Sequence, residues 1–298
     1  MPEPLPLPLP EPEPTVRSFY DELAADYHLN YADWEASTVR QGVALDALIR
    51  AECAGEGMYG TEGMYGTEGT YNTIDGTRGG AYDVLDCACG IGTQAVGLAL
   101  RGHRVAGTDL SPVAAARARA EAARRGLTLP TAAADMRELP FRDGSFDVVV
   151  CADNSLPHLL TAQDVLAALR EMHRLLRPQG LLLVSTRAYD AMLRERPLAT
   201  PPAVSSRPEG RVVTFQLWHW HEDAERYDLE HFRLLADGDA WITRSLRTTY
   251  WALGREELSR LARDAGFTGV TWHEPERSGF FQPLLTARRG PARRRPLE

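Results

Sequence analysis

From Ala81 onward the chain alternates short apolar runs with stretches of helical spacing, over 81–88, 93–101, 103–110, 112–125, 127–135, 146–153, 162–176 and 180–187. Near-continuous apolar strands between helices predict βαβ units and a mostly parallel sheet covered on both faces. Ser111 followed by Pro112 is a helix start, a capping hydroxyl with proline in the first turn. Upstream, 15–27 and 35–54 read as helices, with Val39, Val43, Leu45, Leu48 and Ile49 at roughly helical spacing. After Arg187 the pattern changes to three predicted strands, 211–221, 226–236 and 241–251, separated by turn residues at 223–225 and 237–239. Such a meander suits an antiparallel flap over a pocket. A helix over 255–265, stopped by Gly266, then leads to strands 268–273 and 281–287, which close the sheet as an antiparallel pair.

The division expected is a Pro-rich tail 1–14, a helical cap 15–54, an insertion 55–80, a core 81–190 plus 252–290, a flap 191–251 and a basic tail 291–298. In the insertion, the six residues starting at Gly57 recur at Gly63, and a degraded copy starts at Gly69. Glycine-rich repeats of this length bury no core, so they read as a surface insertion, with or without a role for Tyr59, Tyr65 and Tyr71. The chain of 298 residues is 44% hydrophobic, enough for one α/β core with additions. It has no apolar run of the ~18 residues a membrane helix needs. The first fourteen residues lack the basic start and apolar block of a signal peptide.

A net charge of −8 argues against a nucleic-acid binder working by long-range attraction. The four cysteines, Cys53, Cys87, Cys89 and Cys151, form no metal quartet, and three read as small buried hydrophobes. No metal is expected, and a reducing, cytoplasmic setting fits best. All 33 basic residues are arginine, which removes lysine chemistry.

The main motif runs from Asp86 through Gly90 and Gly92 to Thr93, after an apolar strand and before a helix. Glycines there let backbone N–H groups approach a ligand, and the helix start favours negative charge. Asp109 ends the next strand, where a carboxylate can accept hydrogen bonds from both ribose hydroxyls of a nucleoside. Two nucleotide classes use this layout. Dinucleotide enzymes favour a third glycine, absent here, and the chain has no Tyr-x-x-x-Lys pair. Asp86 suits a cationic ligand instead.

The loop resembles the class I methyltransferase motif, with Ala88 in place of the first glycine. That resemblance implies a Rossmann-like sheet and S-adenosyl-L-methionine as cofactor. It also implies that Asp86 faces the methionine ammonium, that Asp135 takes the adenine amine and that Met136 packs on the ring. Segments 139–150 and 174–180 resemble the same family's approaches to its fourth and fifth strands. Cys151 to Leu159, with Asn154, Ser155 and His158, resembles a segment of glycine and sarcosine N-methyltransferases. So do Ser185 to Asp190, the Phe19–Tyr20 region, and Tyr31 to Gln41.

The resemblance implies that Arg40 clamps the cofactor carboxylate, that Tyr20 and Tyr27 cover the cofactor, and that Ala152 joins that set. Arg187 is then the candidate carboxylate holder for an amino-acid acceptor, or else an arginine paired with Asp190 or a flap acid. Asn154 would accept a hydrogen bond from the amine or bond the methionine part. His158 would be a general base or a structural histidine. Trp218 and Tyr250 belong to an aromatic-rich flap that serves as packing or as a cage for a cation. The expected activity is methyl transfer to a small molecule, an amine or amino-acid nitrogen first. An O-methyltransferase of a natural product using His158 and a nicotinamide-dependent oxidoreductase are the alternatives. A homo-oligomer is possible; neither nucleic acid nor membrane is expected as a partner.

Overall fold

The computed structural model describes residues 15–53, 80–207, 210–238 and 240–291. The N-terminal tail, nearly all of the repeat insertion and nearly all of the basic tail lie outside them. The cap comprises α1 (Val16–Leu23), a 3-10 turn (Tyr27–Asn30) and α2 (Trp34–Cys53). The core follows as β1 (Asp83–Asp86), α3 (Thr93–Leu100), β2 (Arg104–Asp109), α4 (Pro112–Arg124), β3 (Thr131–Ala133), β4 (Phe146–Cys151), α5 (Ala162–Leu175) and β5 (Leu176–Ser185). Next come α6 (Tyr189–Glu195) and strands β6 (Ala203–Arg207), β7 (Gly210–Trp220), β8 (Arg226–Asp237) and β9 (Ala240–Trp251). The chain closes with α7 (Arg255–Asp264), β10 (Phe267–His273), α8 (Pro275–Ser278) and β11 (Leu284–Arg289).

One sheet has the order β10-β11-β5-β4-β1-β2-β3. All its pairs are parallel except those of β11, which runs against both β5 and β10. Apolar side chains of α2, α3 and α4 pack on one face of the sheet, and those of α5 and α7 on the other. Because β1 sits between β2 and β4, the strand order reverses there, opening a crevice at the carboxyl ends of β1 and β4.

The second sheet is antiparallel in the order β6-β7-β8-β9. It has four strands where the sequence pattern predicts three. The additional strand β6 is short, lies at the edge and follows Pro201 and Pro202, so it shows no readable alternation. Along β8 the period of two turns Tyr227, Leu229, His231 and Arg233 inward. Two of these tie the flap to the cap: Arg233 pairs with Asp26 at 2.9 Å, and His231 Nε2 lies 2.8 Å from Asn30 Oδ1.

Helix α2 buries Leu45, Leu48 and Ile49 as expected but departs from expectation in its first half. Val39 and Val43 are 53% and 42% exposed, while Ser37, Thr38, Gln41 and Gly42 are buried. The reason is a close crossing with α3. A Cβ on Gly42 would lie 2.5 Å from the backbone carbonyl of Gly97, so only glycine permits that approach. Beside it, Gln94 Nε2 donates to Gln41 Oε1 at 2.7 Å, pairing a buried donor with a buried acceptor.

Candidate functional site

Two adjoining cavities occupy the crevice and share Tyr20, Tyr27 and Asp153 as walls. The first, about 310 Å³, is lined by 87–91, Thr93, Gln94, Asp109, Leu110, 134–137 and His158, among others. The loop after β1 is held between two strands, because Cys87 N donates to Val150 O and Cys89 N to Thr108 O, both at 2.9 Å. Gly90 and Gly92 have φ of +51° and +98°. A Cβ on Gly92 would crowd Val96 at 3.1 Å and Ala118 at 3.2 Å, whereas one on Gly90 would meet nothing within 4 Å. Gly90 therefore fronts open space, and Gly92 makes the turn that starts α3. Gly90 N donates to Asp109 Oδ2 at 2.7 Å, and Ser111 N to Asp109 Oδ1 at 2.8 Å. Two backbone amides thus aim the Asp109 carboxylate at the cavity while burial pushes its pKa up.

Asp86 lies beneath the loop, 1% exposed. Its Oδ2 has no hydrogen-bond partner among the described residues, and burial pushes its carboxyl up to about 7. An unsatisfied buried carboxylate oxygen is costly until a donor reaches it, directly or through water. The pattern of an acid under the loop, a glycine open to the cavity and an aimed carboxylate at the next strand fits a nucleoside carrying a cationic tail.

The second cavity, about 210 Å³, lies between cap and flap. Its walls include Tyr31, Asn154, Arg187, Gln216, His231, Tyr250 and Gln282. Arg187 Nη1 donates to Tyr227 Oη at 3.1 Å and Nη2 to Gln216 Oε1 at 3.2 Å, and its guanidinium lies over the rings of Trp218 and Tyr250. Among the described residues no carboxylate pairs with it. Asp190 is taken instead by Arg255, whose N donates to Asp190 Oδ1 at 3.2 Å and whose Nε lies 3.6 Å from Oδ2. Asn154 has φ +64°, and its Oδ1 accepts from Arg187 N at 3.1 Å, which leaves Nδ2 buried and unpartnered.

His158 stands between the cavities. Its Nε2 lies 2.8 Å from Tyr20 Oη, and its ring packs against Tyr250 with centroids 4.1 Å apart and planes tilted by 35°. Burial, with the nearby charge of Arg187, lowers its pKa to about 3. Asp153, at φ +55°, accepts from Tyr27 Oη at 3.2 Å and Tyr31 Oη at 3.1 Å through Oδ2.

The family described as methyltransferase domain matches residues 84–180, the stretch from β1 into β5 that builds the first cavity. That match takes in about a third of the chain, and over it residues 84–180 are similar to a methyltransferase domain. A glycine/sarcosine N-methyltransferase of Parasynechococcus marenigrum is 40% identical over 116 residues, which cover 38% of this chain and 41% of that protein. The chain thus matches well under half the length of that relative. Among solved structures, Streptomyces venezuelae DesVI superposes with a TM-score of 0.68 at 20% identity, covering 90% of this chain and 98% of that one. SAM-bound CalS10, an amino pentose methyltransferase from Micromonospora echinaspora, gives 0.64 at 20% identity over 89% and 95%. At that identity these two speak for the fold alone.

The stretch 84–180 brings Ala88, Gly90, Asp109, Asp135, Met136 and His158 to the first cavity, with Tyr20 and Tyr27 from the cap, while Asp86 and Gly92 lie behind its wall and do not line it. Asn154, Arg187 and Tyr250 border the second. Five expectations need correction. Arg40 is exposed, and its Nη2 donates to Ser37 Oγ on its own helix at 2.7 Å, away from the cavity. Ala152 is 2% exposed and belongs to the apolar core on the α2–α4 side. Trp218 backs the guanidinium of Arg187 and lines neither cavity. Asn154 offers foremost a donor, since its Oδ1 already accepts from Arg187 N while its Nδ2 is unpartnered. A base poised near neutrality does not describe His158, because burial opposes its protonation. Asp135 does reach the cavity, but Arg137 holds its carboxylate at 2.7 Å.

Sequence reasoning missed Asp153, Gln216, His231 and Gln282, and it gave Tyr31 only as part of a resembling segment. Asp153 carried a signal. An Asp-Asn pair after an apolar strand tolerates left-handed backbone, and both residues adopt it.

Proposed function

We propose that the chain is an S-adenosylmethionine-dependent methyltransferase acting on the nitrogen of a small amine that bears a carboxylate. The observation that carries this reading is Arg187, a cation in the second cavity with no acidic partner among the described residues. The guanidinium keeps N–H donors beyond the two spent on Tyr227 and Gln216, and Asn154 Nδ2 is a further unpartnered donor at the same cavity. A carboxylate is the group that best satisfies such a set.

In the first cavity, Asp109 would hold the ribose hydroxyls, Asp86 the ammonium, Gly90 and its neighbours the methionyl part, and Met136 the adenine face. The sulfonium supplies an electrophilic methyl group. This chain's residues bind, orient and exclude water, which is most of what an in-line displacement asks. Tyr20, Tyr27 and Asp153, shared by both cavities, stand where the two ligands would meet. An O-methyl acceptor would need a base for its hydroxyl, and the neutral His158 with its Nε2 occupied by Tyr20 is a poor one.

The test is mass-spectrometric detection of methyl transfer to paired acceptors, amino acids and their decarboxylated amines, with the full chain. Turnover confined to the carboxylate-bearing members is expected. Equal turnover of both members of each pair would refute the carboxylate reading.

A further inference from the structure

We infer that Asp153 takes the proton an acceptor ammonium must lose before its nitrogen can be methylated. The inference rests on the N-methyl-transfer reading above. An ammonium has no lone pair, so a nearby group must accept a proton first. Asp153 is a carboxylate bordering both cavities with no cationic partner among the described residues. Its Oδ2 receives the hydroxyls of Tyr27 and Tyr31, while Oδ1 has a 3.5 Å contact from Gln282 Nε2 and keeps lone-pair capacity. Asp153 N is fixed by Ser185 Oγ at 2.8 Å, so the left-handed turn points the side chain in a set direction. A strained backbone conformation retained at a cavity junction is where function is sought.

The charge balance around it suits the role. Burial raises its proton affinity, the hydroxyls of Tyr31 and Tyr27 lower it, and Arg187 lowers it further. Tyr20 from α1, Tyr250 from β9 and Asp86 beneath the loop also feel its charge. The step balances simply. The ammonium N–H bond breaks, its proton goes to Asp153 Oδ1, and the nitrogen keeps the electron pair. The nitrogen then forms the new N–CH₃ bond as the S–CH₃ bond breaks, with that electron pair going to sulfur.

Asp153→Asn preserves size and tolerance of left-handed backbone, and Asp153→Gly leaves room for an added carboxylate. Turnover of an amino-acid acceptor is followed against pH, with cofactor affinity measured alongside by calorimetry. At pH 7 Asp153→Asn is expected to lose roughly 100-fold or more, the usual range for a proton acceptor. The deficit should shrink as pH rises toward the amine's own pKa. Acetate should restore part of the turnover of Asp153→Gly. A wild-type rate in Asp153→Asn at pH 7, or a deficit constant across pH without acetate rescue, would overturn the inference while leaving N-methylation standing. A wild-type chain inactive on every amine would remove both.

Discussion

The two cavities are built by different means. The first is made mostly by one continuous stretch, 84–180, closed by Tyr20 and Tyr27 of the cap, with Asp109 held at its wall by the main-chain amides of Gly90 and Ser111 and Asp86 buried behind the loop. The second is assembled from side chains of α1, the Tyr27–Asn30 turn, the ends of β4 and β5, β7, β8 and β9. A backbone cradle constrains local sequence and can be read in order. A side-chain cavity needs the fold before its members meet. Substitutions should therefore separate the two: those in the second cavity should change turnover and acceptor choice, those in the first should change cofactor affinity.

The largest effect is expected at Arg187. Arg187→Ala removes a cation that no other described residue of the second cavity replaces. Losing charge-assisted bonds to an acceptor carboxylate costs about 3–4 kcal/mol, a drop of roughly 100- to 1,000-fold in kcat/KM. Cofactor affinity should stay near wild type. If calorimetry showed the cofactor affinity falling in step with turnover, the separation of the cavities would be lost.

Asp109→Ala should do the reverse. It removes the proposed acceptor for two ribose hydroxyls and leaves the amides of Gly90 and Ser111 without their partner. Weakening of S-adenosylmethionine binding by about 1–3 kcal/mol is expected. An unchanged dissociation constant would reject the role.

Asp86 makes a pH-dependent case within the same cradle. Burial holds its carboxyl at about 7, above its ordinary 3.8, so it is largely protonated below neutrality. An ionised Asp86 attracts an ammonium, and affinity should rise with pH through about 7, by at most roughly tenfold per unit. The stability of the ligand-free chain carries the opposite sign. The Asp86 contribution is present below 3.8 and is lost as pH rises through about 7. Asp86→Asn should flatten the binding profile. A flat profile in the wild type would exclude Asp86 as the ammonium partner.

What could be read from the sequence follows the same division. The strand, glycine loop, helix, strand and acid lie in register along one stretch, so Gly90 and Asp109 were found by spacing. Asp153 and Tyr31 meet across 122 positions, which no local spacing reveals. Helix α2 misled for another reason. Its apolar residues Val39 and Val43 follow helical spacing, but contact with α3 is made through Gly42 and Gly97, and small or polar residues are buried there instead. Hydrophobic periodicity presumes that large side chains fill an interface, and a glycine crossing removes that premise.

The smallest expected effect is at Arg40, and it tests how far family resemblance carries into the cap. Resemblance places an arginine of α2 on the cofactor carboxylate. In this chain Arg40 is exposed, outside both cavities and bonded to Ser37 one turn back. An exposed contact of that kind contributes little, so Arg40→Ala should alter stability by less than about 0.5 kcal/mol. Cofactor affinity should change by less than about twofold, since no charge-assisted bond is lost. Calorimetry on this variant beside Asp109→Ala gives the contrast directly. A loss at Arg40 comparable to that at Asp109 would mean that α2 rotates on binding, bringing its outer face to the cradle, and the boundary between the two cavities would then move with the ligand.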